Sequence, residues 1–164
     1  MIPTAVRQAS PLALSIDPRV SEPGDFATAI PGLALFRRDQ PAPPSVCMIE
    51  PSLILVGRGE KRLWVAGEGY SYGPSRFLVN SLDLPANSEV IQASPEQPCV
   101  GLVLKLDVGM LAEVISKGGL PAARHRPESK GAGIGTLSST LESALGRLLA
   151  LLDEPEAIAV LAPL

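Results

Sequence analysis

The sequence contains one histidine, His125, in 164 residues. Metal centres built on imidazole need two or more such ligands, so His-ligated metal catalysis is excluded and no metal or cofactor is expected. Cysteines number two, Cys47 and Cys99, too few for a secreted disulfide scaffold, and reduced cytosolic thiols are the expectation. Cations are in deficit: 14 Lys plus Arg stand against 17 Asp plus Glu, a net charge of -3. A surface that neutralises several phosphates needs the opposite balance, which excludes nucleic acid as a partner of this chain by itself. Aromatic residues make up 4% of the chain, with a single Trp, so a sugar pocket walled by several indoles is excluded. Nowhere do 18 apolar residues run together, and the first ten residues carry Arg7 but no apolar stretch of signal-peptide length. No membrane contact is expected, and a soluble, cytoplasmic protein is.

What is present is apolar sequence in short pieces. Hydrophobic residues reach 46%, while 17 Pro and 15 Gly interrupt them repeatedly, a pattern of strands and turns around one core. Residues 1–27, rich in Pro, Ser and Asp, read as a mobile arm or leading turn. From Thr28 the apolar runs 30–36, 46–49, 52–56, 62–66, 70–72, 77–80, 82–84, 90–93 and 100–106 follow one another between breakers. Pro41-Ala-Pro-Pro44 reads as a stiff turn, Gly57-Arg-Gly-Glu-Lys61 as the turn of a hairpin, and Gly67-Glu-Gly69 as a second turn. Leu63 and Val65 alternate with Arg62 and Trp64 across two faces. The pattern predicts a β-barrel or sandwich over residues 28–106.

The period then changes. Asp107 is a candidate N-cap for a helix through Lys117, stopped by Gly118-Gly119. Residues 119–136 read as a loop, with Gly131-Ala-Gly-Ile-Gly135 as a flexible connector that lacks the spacing of a phosphate loop. Ser139 and Glu142 form a candidate capping box for a second helix, in which Leu141, Leu145, Leu148 and Leu152 recur on one face. Residues 107–157 are thus helical, and 158–164 form an apolar tail that reads as the start of a linker.

The ordered set Thr28-Ala-Ile-Pro-Gly-Leu33, Ile49-Glu-Pro-Ser-Leu53, Gly59-Glu-Lys-Arg62, Tyr70-Ser-Tyr72, Asn80-Ser-Leu-Asp-Leu-Pro85, Ala93-Ser-Pro-Glu-Gln-Pro98, Leu148-Leu-Ala-Leu-Leu-Asp-Glu-Pro155 and Val160-Leu-Ala-Pro-Leu164 resembles the N-terminal domain of AraC-type bacterial transcriptional regulators. The resemblance implies a cupin-like (jelly-roll) β-barrel followed by two α-helices. It further implies effector sensing and dimerisation, with DNA reached only through a C-terminal helix-turn-helix half absent from this chain.

Several groups are candidates for that work. Trp64, Tyr70, Tyr72 and Phe77 are candidate walls of an effector pocket, with Glu50, Arg62 and Asn80 as polar anchors. Arg58 and Arg62, beside Lys61, are spaced to grip an anion, against the plainer reading of a solvated turn. The stripe Leu141, Leu145, Leu148 and Leu152 suits a homodimer seam, against packing on its own barrel. His125, between Arg124 and Arg126, reads as a solvated side chain. Cys47 and Cys99 respond to redox only if the fold brings them together, and each otherwise behaves as a small hydrophobe. Two alternatives stay open beside the sensor: an effector-free dimerisation module, and a cupin-type enzyme, which the missing histidines disfavour.

Overall fold

The apolar runs around residues 53–56 and 100–104 are continuous rather than alternating, the signature of strands covered on both faces. In the computed structural model, which describes residues 10–118 and 131–161, they form the middle of a sheet buried in this way. The described residues contain ten strands: β1 (Gly24–Ala27), β2 (Leu33–Arg38), β3 (Ala42–Ile49), β4 (Ser52–Arg58), β5 (Glu60–Val65), β6 (Glu68–Tyr72), β7 (Arg76–Asn80), β8 (Leu84–Gln92), β9 (Cys99–Lys105) and β10 (Ala132–Thr136). Helices are α1 (Pro11–Ile16), α2 (Val108–Ser116), α3 (Ser139–Ala150) and α4 (Pro155–Leu161). A six-stranded sheet runs β1-β2-β9-β4-β7-β10 and a four-stranded sheet β3-β8-β5-β6. The fold is mostly β with C-terminal helices, as expected from the sequence.

Two cores result. On one side of the six-stranded sheet, Leu33, Leu35, Leu55, Val100 and Leu102 pack with Leu12 and Ile16 of α1, Leu145 and Leu149 of α3 and Ile158 of α4. On the other, Phe36, Ile54, Val56, Leu78 and Cys99 meet Leu63, Val65, Tyr72, Ala86 and Val90 of the four-stranded sheet. Each fully buried aliphatic side chain contributes about 1.5–3 kcal/mol. The crossing point is tight: a Cβ on Gly101 would lie 2.0 Å from the Leu55 carbonyl oxygen and 2.5 Å from the Phe36 ring.

Several sequence expectations are corrected. Residues 10–20, expected in a mobile arm, carry α1, whose Leu12, Ala13 and Ile16 are buried with Val20 in the first core. The ordering surface is the chain's own sheet, and Gly57 lets it approach, since a Cβ there would stand 2.9 Å from the Ala13 nitrogen. Pro43 and Pro44 lie within β3, not in a turn. Because β3 is an edge strand, a missing N–H costs it little. Likewise Pro85 begins β8 where only β3 is paired with it, so the strand does not end there. Residues 57–61 make no hairpin: β4 and β5 belong to different sheets, and the chain crosses between them at Gly59 (φ +90°). The true hairpin joins β5 to β6 through Ala66 and Gly67, both at positive φ, as a two-residue turn requires. The glycine connector is strand β10, paired with β7; Gly135 lies against the Phe77 ring, where a Cβ would stand 2.2 Å away. Residues 158–161, expected in a linker, belong to α4.

The caps follow the chemistry more closely. Met110 N donates to Asp107 Oδ1 at 3.0 Å, while α3 is capped by Ser138, whose Oγ accepts from Leu141 N at 3.1 Å, one residue ahead of the expected box. No described helix is long and apolar enough to cross a membrane.

Gly101→Ala is expected to destabilise the domain by about 3 kcal/mol, because neither a carbonyl nor a ring wedged between two cores can give way. Urea unfolding that shows less than about 0.5 kcal/mol of loss would contradict the two-sided packing.

Candidate effector site

Strand alternation decides which polar side chains reach the space between the sheets. On β5, Leu63 and Val65 face the interlayer core, so Lys61 faces it too, whereas Arg62 and Trp64 face away. Between the sheets lies a cavity of about 570 Å³, open on one side. Its apolar lining includes Ile49, Ile54, Leu63, Val90 and Val103; its charged lining is Asp25, Arg38, Glu50, Lys61 and Lys105. Ser45, Ser52, Ser88, Cys47 and Tyr72 complete the polar part.

Most of that charge is spoken for. Arg38 Nη2 lies 2.8 Å from Asp25 Oδ1, and its Nη1 donates to the Gly24 carbonyl at 2.9 Å. Lys105 Nζ is 2.8 Å from Glu50 Oε2, an exposed pair at the rim. Lys61 has no carboxylate or carbonyl partner among the described residues; its ammonium sits over the Phe36 ring, 4.5 Å from the centroid. A cation–π contact of this kind recovers only part of the lost hydration. Burial therefore lowers the Lys61 pKa from its ordinary value, a trend that the Arg38 charge reinforces. Burial also pushes the Tyr72 hydroxyl well above the usual tyrosine range. Three cations against two carboxylates leave the lining with one positive charge uncompensated.

Of the residues expected to bind an effector, the structure brings Glu50 and Tyr72 to this cavity. Tyr70 packs at the edge of the interlayer core without lining the space. Asn80 is fully buried as a clamp: its Nδ2 donates to the Glu50 carbonyl at 2.6 Å and to the Leu82 carbonyl at 3.1 Å, while its Oδ1 accepts from Ser52 Oγ at 2.9 Å. It thereby fixes the corner that carries Glu50. Arg58 is consumed by structure, donating twice to Asp17 at 2.7 and 2.9 Å and once to the Pro98 carbonyl at 2.8 Å. It locks the segment after α1 onto β4. Arg62 and Trp64 lie on the outer face of the four-stranded sheet, where Trp64 Nε1 donates to Glu89 at 2.9 Å and the Arg62 guanidinium sits 5.4 Å from the indole centroid. Phe77 packs toward the helices.

Arg38, Lys105 and Cys47 also line the cavity without having been singled out from the sequence as effector contacts, and Lys61 was noted only beside Arg58 and Arg62. The signal for Lys61 was the alternation itself, since a charge in phase with Leu63 and Val65 points inward. The leucine stripe is largely spent on its own domain: Leu145 is 4% exposed, and Leu141, Leu148 and Leu152 pack on the first core. His125 lies outside the described residues.

The model of the AraC-type transcriptional regulator N-terminus matches residues 29–164. The chain belongs to this family, one of regulator domains and not of enzymes. No curated protein is significantly similar to it in sequence. Among solved structures, wild-type ToxT from Vibrio cholerae strain SCE256, bound to an unsaturated fatty acid, aligns with 9% identity over 76% of this chain and 47% of that one, with a TM-score of 0.53. An apo single-residue variant of ToxT from the same strain aligns with 12% identity over 73% and 47%, at 0.49. The chain thus spans about half the length of these ToxT chains, and at such identity the wild-type likeness is one of fold.

Lys61→Met keeps the volume of the side chain and removes its charge. Below the lowered pKa of Lys61 the folded state carries the whole desolvation cost; between that value and the ordinary 10.5 the unfolded chain binds more protons, so stability rises with pH. The variant is therefore expected to exceed the parent by about 1 kcal/mol at neutral pH, with the gap closing as pH approaches 10.5. Titration of Cys99, whose thiol burial raises to about 11, destabilises both proteins alike above pH 9. Chemical denaturation across pH 6–10 checks this, and a parent more stable than the variant at pH 7 would contradict it.

Proposed function

We propose that this chain is the effector-sensing domain of an AraC-type regulator and that its interlayer cavity takes an amphipathic monoanion. The observation that carries the reading is Lys61, which among the described residues is the one charged group of the lining without an oppositely charged partner. A bound carboxylate supplies the missing partner through a charge-assisted hydrogen bond, and its hydrocarbon body replaces water along Ile54, Leu63 and Val90. The cavity volume lies in the roughly 300–1,000 Å³ range of small-molecule sites. The fatty acid bound by ToxT is a ligand of this chemical kind, which supports the reading. The domain is non-enzymatic on this view, and DNA contact belongs to another part of the regulator, in keeping with a net charge of -3.

Decanoate is the direct probe. At a hundred times its dissociation constant it stabilises the folded state by about 2.7 kcal/mol, a rise in melting temperature of about 5–10 °C. Lys61→Met abolishes the rise, and decanol, lacking the charge, gives much less. Since burial lowers the Lys61 pKa, affinity falls as pH rises; an anchor on Arg38 would leave it flat. Absence of a shift with decanoate would leave the effector-free dimerisation module as the better account.

Pairing with a second copy belongs to the same reading. With Leu145 and Leu149 committed to the core, exposed apolar side chains remain on α1 (Leu14), on α4 (Val160 and Leu161) and, in greatest number, on α2, where Val108, Met110, Leu111, Val114 and Ile115 are 38% to 61% exposed and no residue is buried. We place the homodimer seam there. Val114→Asp with Ile115→Asp is expected to reduce the solution mass from two chains to one in light scattering. A dimer that survives the double change would move the seam elsewhere.

A further inference from the structure

The two thiols differ in their surroundings. Cys99 is 0% exposed within the interlayer core, and desolvation makes it a poor nucleophile. Cys47 is a free thiol on edge strand β3. Alternation along β3 turns Ser45, Cys47 and Ile49 to the cavity; Val46, 86% exposed, lies outside it, while Met48, 68% exposed, also contributes to the lining. Cys47 therefore shares a compartment with Lys61, the largely buried and unpaired ammonium.

We propose that Cys47 is a covalent capture site for amphipathic α,β-unsaturated carbonyl compounds that carry an acid group, held at Lys61 while Cys47 Sγ adds to the β-carbon. The S–C bond forms at that carbon as the C=C π pair moves to the α-carbon, and the proton lost by the thiol ends on the α-carbon. Nothing is oxidised or reduced overall and no group leaves, so the adduct has the summed mass of protein and ligand. The apolar walls hold the chain of the electrophile as they hold any monoanion, which turns a reversible sensing cavity into one that records exposure to an electrophile. This rests on the anion-binding reading of the cavity.

The test uses (E)-4-oxodec-2-enoic acid, its saturated analogue 4-oxodecanoic acid, and the neutral (E)-non-3-en-2-one. Intact mass and peptide mapping are expected to show one equivalent of the unsaturated acid on Cys47 and none on Cys99, with Cys47→Ser unlabelled. Prior saturation with 4-oxodecanoic acid slows labelling at least tenfold, and Lys61→Met slows the acid probe about tenfold more than the neutral enone. Labelling at Cys99, labelling of Cys47 that the saturated acid does not slow, or equal slowing of both probes would overturn the proposal. If 4-oxodecanoic acid raises the melting temperature while its unsaturated partner leaves no adduct, covalent capture fails and the anion-binding reading stands. If the saturated acid does not bind, both fall.

Discussion

The burial of strands β2, β9 and β4 on both faces is the constraint on which the rest of this structure depends. A strand covered on one side alone can alternate polar and apolar residues, but these cannot, and each face must find its own cover. Helices from both ends of the described chain serve one face: α1 precedes the sheets in sequence, α3 and α4 follow them, and all three meet over Leu35, Leu55 and Leu102. The four-stranded sheet serves the other. Gly57 stands where α1 comes closest, against the helix backbone, and Gly101 is hemmed in by its own sheet neighbours, the Leu55 carbonyl of β4 and the Phe36 ring of β2. Arg58 completes the arrangement by tying Asp17 to the same strand.

A second sheet laid over the first need not fill the space between them. Toward Phe36, Val56 and Leu78 the layers are packed, and toward β1 and β3 they part around the cavity. The electrostatics of that opening are unequal in a way that stability does not explain. Arg38 and Lys105 have carboxylates of their own, whereas Lys61 has an aromatic face and no counter-ion. A largely buried unpaired ammonium lowers stability, and a ligand that supplies the counter-ion recovers the loss on binding. Affinity and a strained resting state are in this sense one feature seen from two sides.

Legibility followed the range of the interactions involved. The β-then-helix order, the Asp107 cap and the alternation of Leu63 and Val65 against Arg62 and Trp64 depend on neighbours within a few residues, and they were readable, though not which of the two faces turns inward. Of the candidates named from the sequence, Glu50 and Tyr72 do line the cavity. Arg58 and Asn80 were misplaced: their partners, Asp17, Pro98 and Ser52, lie 28 to 41 residues away in sequence. Before the partners are known, a guanidinium free for a ligand and one holding a helix look the same. The prolines of β3 and the glycines of β10 were misread because a breaker in the middle of a sheet is a harmless or useful residue at its edge.

Composition and local order alone settled that this is an interrupted β chain with helices behind it, acidic, and with a single histidine. Those properties are sums over residues or patterns within one turn or strand, and they survive without coordinates. Which charge is left without a partner is a property of pairs distant in sequence. Only the stacking of two sheets, which brings Asp25 to Arg38 and Glu50 to Lys105 while leaving Lys61 over Phe36, decided which cation faces the cavity without a carboxylate among the described residues.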